Sequence, residues 1–203
     1  MIFPHALRTL FLVAIASLAA FAMPGGAKAA DAAAGKAAAG VCAACHGENG
    51  ISATGEIPSL AGQPASFLEW QLVYFRAKSR KNEIMQPIAA ALSNAAIGDL
   101  AAYFASLPPP KPLQAPDPTP ALSEAGAKLA AGHRCASCHK DKFTGDGAVA
   151  RLADQREEYL LQSLRDFKSG ARSGGGVAAM PDIVYALSDD DFKALAHYLS
   201  RVP

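Results

Sequence analysis

Apolar residues recur at helical spacing in two stretches of the chain that match each other. Ile97, Leu100, Ala101, Phe104 and Leu107 fall on one face of a helix, and Phe192, Leu195, Ala196 and Leu199 repeat the pattern. Ser93 or Asn94 and Ser188 or Asp189 stand where an N-cap is expected, so each run predicts a terminal helix with a polar start. A second pair of amphipathic runs, near 66–77 and 157–169, carries Phe67, Leu68, Leu72 and Phe75, then Tyr159, Leu160, Leu164 and Phe167. No segment shows a convincing strand pattern. The chain is therefore expected to be all-α, each half running as a short helix, a loop, a middle helix, a second loop and a terminal helix.

The halves also match residue by residue. Leu60-Ala61-Gly62-Gln63 answers Leu152-Ala153-Asp154-Gln155, and Leu68, Leu72 and Phe75 answer Leu160, Leu164 and Phe167, at a steady offset of 92. After a three-residue insertion around 174–176, read as a flexible loop, the offset becomes 95, pairing Met85 with Met180, Leu100 with Leu195 and Tyr103 with Tyr198. Ordered matches of this kind indicate internal duplication. Between the copies, residues 108–120 hold seven prolines in thirteen positions, a composition suited to an extended, semi-rigid linker. The expected domains are 31–107 and 121–203.

Residues 1–30 read as a secretory signal, with His5 and Arg8 in front, an apolar run over 10–22, and Ala27-Lys28-Ala29 as the cleavage site. That thirteen-residue run is shorter than the roughly 20 residues a membrane span needs. The whole chain has 19 basic and 18 acidic residues; without Arg8 and Lys28 the basic count is 17, which excludes a nucleic-acid-binding profile. Two units of roughly 75–80 residues have small cores. Each half is expected to fold poorly without a bound apolar group.

The candidate for that group is written into the cysteines. Cys42-Ala43-Ala44-Cys45-His46 recurs as Cys135-Ala136-Ser137-Cys138-His139, and the two C-x-x-C-H motifs use every cysteine present. Two thiols on one helical turn can each form a thioether to a haem vinyl group, while the adjacent histidine reaches the iron. A zinc site pairing the two C-x-x-C elements is the competing reading, but its pairs usually lie much closer than the 93 residues separating Cys42 from Cys135. A thioredoxin-like motif needs a βαβ setting, and neither alternative explains the two histidines. Two covalently bound haem c groups are expected. Export fits, because attachment takes place on the oxidising side of the bacterial membrane, and the expected location is the periplasm.

The second axial ligand separates a carrier from a catalyst. Met85 and Met180 lie 39 and 41 residues after His46 and His139, at matching places in the repeat and in segments read as loops. Pro181 is expected to push Met180 towards an extended backbone. His133 and His197 are weaker competitors, read as ordinary surface or helix residues. Histidine–methionine ligation raises the potential and closes the iron, which points to one-electron transfer rather than an enzyme. No Ser-His-Asp order, metal-hydrolase motif or phosphate loop stands out.

C-A-A-C-H-G-E-N-G, then I-P-S-L-A-G-Q, then Met85, followed by a degenerate second copy in the same order, resembles the cytochrome c4 family of periplasmic two-haem carriers. The resemblance implies two tandem class I cytochrome c domains with neighbouring haems, passing electrons towards a terminal oxidase or reductase. It implies that the Pro58 carbonyl holds the axial histidine of the first half, with Ala150 in that place in the second, where Lys140 also replaces Gly47 and the loop is expected to be less rigid. It places Arg80 and Arg172 within reach of haem propionates, solvated arginines being the plainer alternative. Expected partners are a membrane oxidase, a reductase or a periplasmic dehydrogenase, with peripheral membrane association through a partner left open and no nucleic acid. Two rivals remain: the dihaem subunit of a flavin-containing sulfide dehydrogenase or another periplasmic dehydrogenase, and a dihaem peroxidase.

Overall fold

A computed structural model describes residues 29–173 and 179–202. The expected signal segment lies outside the described residues as far as position 28, and so does the glycine insertion. The first half comprises α1 (Ala32–Ala38), α2 (Gly40–His46), α3 (Ala65–Arg76), α4 (Met85–Ala90) and α5 (Asn94–Ser106). The second comprises α6 (Pro120–Gly132), α7 (Ala136–His139), α8 (Glu157–Ser169), α9 (Ala179–Val184) and α10 (Asp189–Leu199). Among the described residues β structure is limited to two isolated bridges. No described helix is long and apolar enough to cross a membrane.

The terminal helices start where their side chains dictate. Ser93 caps α5 by accepting from the Ala96 N–H, and Ser188 with Asp191 forms a full capping box on α10. Three features depart from the sequence expectation. Each half opens with an additional helix, α1 or α6, whose alanines give little hydrophobic periodicity. The segments carrying Met85 and Met180 are not loops but the short helices α4 and α9. Pro87 and Pro181 each occupy the third helical position, inside the first turn, where the missing N–H has no intrahelical partner to lose. Met180 is accordingly helical rather than extended. Pro120, expected to close the linker, is instead the first residue of α6.

In both halves the first helix crosses the last, α1 on α5 and α6 on α10. The crossings are close enough to require glycine. A Cβ on Gly35 would lie 2.0 Å from the Asp99 carbonyl oxygen, and one on Gly126 would lie 2.1 Å from that of Ala194. Phe67, Leu68, Leu100, Ala101 and Phe104 form the first core; Leu160, Phe167, Phe192, Leu195 and Leu199 lead a larger second one. Each such leucine or phenylalanine contributes roughly 1.5–3 kcal/mol by leaving water.

The halves meet across a polar seam. Gln63 and Gln155 bond the backbone of the opposite half, and the Tyr159 N–H donates to the Gly55 carbonyl at 3.1 Å. The linker returns along the second half, where Asp117 accepts from Ser123 at 2.6 Å and pairs with His197 at 2.9 Å. His197 is not a surface residue: it is buried, with Glu157 on its other ring nitrogen at 3.1 Å.

Candidate functional site

Each C-x-x-C-H motif ends on a short helix whose final residue is the histidine, α2 in the first half and α7, capped by Cys135, in the second. The chain then reverses through a backbone conformation that favours glycine. Gly47 has φ 82° and ψ 151°, and a Cβ there would fall 2.2 Å from the Ile51 carbonyl oxygen. Lys140 adopts the same conformation, at φ 69° and ψ 163°, despite its side chain. The reversal carries the following loop back over the histidine.

His46 Nδ1 donates to the Pro58 carbonyl at 2.8 Å, and His139 Nδ1 donates to the Ala150 carbonyl at 2.8 Å. A carbonyl can only accept, so these bonds fix the proton on Nδ1 and leave Nε2 with its lone pair. Burial lowers the basicity of both imidazoles and is opposed by the carbonyl bond, which favours the charged form. Both rings are therefore poised as neutral ligands. The replacement of Pro58 by Ala150 costs nothing at this contact because the backbone supplies the acceptor.

None of the four thiols forms a disulfide. Cys42 and Cys135 are half-buried and burial raises their pKa, whereas Cys45 and Cys138 are exposed. Among the described residues no three His, Cys, Asp or Glu side chains gather around one metal position, so the two cysteine pairs do not combine into a zinc site. Each pair instead lines an apolar cavity together with its histidine and with Met85 or Met180. Asn82 accepts from the Met85 N–H at 2.8 Å and sets the start of α4. Phe67, Phe75 and Leu100 wall the first site, and Leu160, Phe167 and Leu195 the second; the cavity is continuous across the seam.

At that seam Arg80 and Arg172, repeat partners 92 residues apart, form an antiparallel bridge. Each guanidinium lies over the ring of its own half, Arg80 at 4.5 Å from Phe75 and Arg172 at 4.6 Å from Phe167. Gln71 Oε1 accepts from Arg80 at 2.7 Å and from Arg172 at 3.0 Å, and Arg80 also donates to the Tyr159 hydroxyl at 3.0 Å. Burial brings Arg172 down to about 10, against the opposing pull of Tyr159, so it stays cationic at neutral pH. Burial pushes the Tyr159 phenol up, but Arg80 and Arg172 outweigh it and hold the group at about 7. The buried Arg172 Nε has no partner among the described residues. Two cations facing one apolar cavity, one with an orphaned donor, match a flat apolar group bearing carboxylates. Sequence reasoning singled out the arginines but missed Gln71 and Tyr159; the only signal was that Tyr159 stands where the first half has Phe67.

Two tandem helical units, each with a paired-thiol motif, a neutral histidine and a methionine on one apolar cavity, define a double-domain c-type cytochrome. The cytochrome c family profile matches residues 32–108 and 123–203, and the chain belongs to that family. Within it the chain is of the cytochrome c4 kind. It is 36% identical to cytochrome c4 of Azotobacter vinelandii, over 83% of this chain and 88% of that one. It is 38% identical to a thiosulfate dehydrogenase electron acceptor of Stutzerimonas stutzeri (strain A1501), over 81% and 80%. The crystal structure of reduced recombinant cytochrome c4 from Pseudomonas stutzeri superposes with a TM-score of 0.79 at 31% identity, over 86% of this chain and all of that one. The chain is thus a dihaem electron-transfer protein rather than an enzyme, with one covalently attached haem c in each domain. It exchanges electrons with other redox proteins.

Proposed function

We propose that Cys42 and Cys45, and Cys135 and Cys138, carry the thioether bonds, that His46 with Met85 and His139 with Met180 are the axial pairs, and that the protein works as a one-electron carrier in the periplasm. The observation that carries this reading is the pair of equal Nδ1 bonds, His46 to Pro58 and His139 to Ala150 at 2.8 Å, each leaving the other ring nitrogen free beside a cavity that a methionine also lines. When bound, haem with such ligands supplies a one-electron change at raised potential with no open coordination position. The chain's own residues hold the ring orientation, exclude water with phenylalanine and leucine walls, and neutralise carboxylates with Arg80 and Arg172. No general acid or base is needed. The expected domains, 31–107 and 121–203, the second led by Pro120 at the start of α6, give each unit one such set, and the segment 1–30 serves export.

The electron donor is a periplasmic dehydrogenase and the acceptor a terminal oxidase or reductase. The 38% identical relative named as an acceptor for thiosulfate dehydrogenase supports a second reading, in which the chain serves one dehydrogenase as its dedicated acceptor. The axial reading is tested by an absorption spectrum of the air-oxidised protein with haem content measured on the same sample. Two haems per chain, low-spin iron and a full-strength long-wavelength methionine band are expected; a high-spin component overturns it.

A further inference from the structure

Arg80 and Arg172 belong to different domains, yet one atom holds both. Gln71 Oε1, on α3 of the first domain, accepts from Arg80 Nη1 at 2.7 Å and from Arg172 Nη2 at 3.0 Å, the second bond joining residues 101 positions apart. A carbonyl oxygen has two lone pairs, so this acceptor is full. Gln71 is itself buried and lines the joined cavity together with the two arginines. The local symmetry of the seam supplies no second group of this kind, because the duplicate of Gln71 is the shorter Ser163, whose hydroxyl lies beside that of Tyr159.

We propose that Gln71 is a positioning residue for electron transfer, which ties the two guanidiniums together and so helps set the reduction potentials of both haem sites from one side chain. This rests on the haem sites described above. Two like charges in a buried seam repel. An amide oxygen holds them in place without cancelling either charge, which a glutamate there would do. Both charges therefore remain to act on the cofactors: Arg172 keeps a buried Nε with no partner among the described residues, and each guanidinium stays over its own phenylalanine, Phe75 or Phe167. A cation held beside a haem disfavours the oxidised, more positive iron and raises its potential. Because the acceptor is shared, its loss releases both guanidiniums, and a change made in the first domain reaches the second.

The test uses the haem-loaded protein in an NMR redox titration, with each haem followed separately by its own methyl resonances. In Gln71→Leu, which keeps the bulk and removes the acceptor, both potentials are expected to fall, each reduction constant dropping roughly threefold to tenfold. Gln71→Ser, which gives the first copy the side chain of the second, should lower both in the same way without adding an apolar group. Ser163→Ala, a truncation at the duplicate position, should move neither. Haem content and the methionine band should be unchanged in all three. The proposal is overturned if the Gln71 variants shift the first haem alone, which would leave Gln71 serving its own domain, or if they shift neither. It is equally overturned if Ser163→Ala lowers both potentials as far, which would make the effect one of seam packing. Loss of the methionine band in the unmodified protein would instead fail the axial reading, a separate outcome.

Discussion

Gln63 and Gln155 occupy matching positions in the two repeats, and each closes a two-bond ring on the backbone of the opposite half. Gln63 donates to the Arg151 carbonyl at 2.8 Å and accepts from the Arg151 N–H at 3.0 Å. Gln155 does the same with Ser59, at 2.9 and 2.8 Å. Ser59 and Arg151 are themselves repeat partners, so the contact is self-complementary, as it is in a symmetric dimer. The Arg80–Arg172 bridge sits on the same local symmetry. Duplication has kept a dimer-like face and covered it with the cavity mouths of both units.

Gln155→Ala should therefore uncouple the domains more than Gln63→Ala. The Gln155–Ser59 bonds are buried, so truncation leaves the Ser59 N–H without water or protein, at about 1–3 kcal/mol; the Gln63–Arg151 ring is only partly buried. Calorimetry should show one unfolding transition broadening into two in Gln155→Ala. An unsplit transition with no loss of stability would mean that the apolar cofactors alone hold the halves together.

Lys140→Gly should stabilise the second domain by about 1 kcal/mol or more, since a lysine at φ 69° and ψ 163° holds a conformation that is otherwise nearly confined to glycine. The reciprocal Gly47→Ala should destabilise the first, because its new Cβ would lie 2.2 Å from a carbonyl oxygen. Denaturant unfolding of the two variants checks the opposite signs. The surface pair of Lys140 with Asp146, both ends exposed, is too weak to reverse the first.

Met85→Ala should open the first iron to carbon monoxide and Met180→Ala the second, with loss of about half the methionine band in each. Both methionines lie in the first turn of short helices and line their cavities, so truncation removes a sulfur without removing an element of the core. Carbon monoxide difference spectra of the reduced variants read the result. Unchanged ligand binding in either would reassign that axial position.

What was legible in the sequence was what local pattern encodes. The helices α3, α5, α8 and α10 announce themselves by Phe and Leu at helical spacing, and the paired motifs by cysteine chemistry. The alanine-rich α1 and α6 carry too little contrast between faces to register, although their glycines meet the terminal helices. Prolines at the third position disguised α4 and α9, because a proline reads as a break until its place in the first turn is known. The seam was the least legible part. Gln63 and Gln155 aligned as repeat partners, but nothing along the chain says that a glutamine will bond the other copy, or that Tyr159 will reach Arg80 across 79 residues.

Acid should loosen the linker before it unfolds the domains. The Ser123 hydroxyl, with the buried His197 ring and the Thr119 N–H, holds Asp117 down at about 2 from its usual 3.8. A carboxylate depressed on folding contributes stability that is fully present above its unfolded value and is lost as pH falls through the folded one. The Asp117 contribution is therefore present above about pH 4 and lost towards pH 2. Asp189, held at about 2 by Arg165, then Lys193, titrates in the same window but sits at the start of α10 rather than on the linker. The two are separated by where the chain opens. Hydrogen exchange between pH 5 and 2 should show protection falling first around Thr119 and Ser123, and Asp117→Asn should show that loss already at pH 5. In Asp189→Asn the linker should still hold at pH 5, with the weakening confined to the start of α10. If Asp117→Asn exchanges at pH 5 as the unmodified protein does, His197 is held by Glu157 alone and the linker is not clamped.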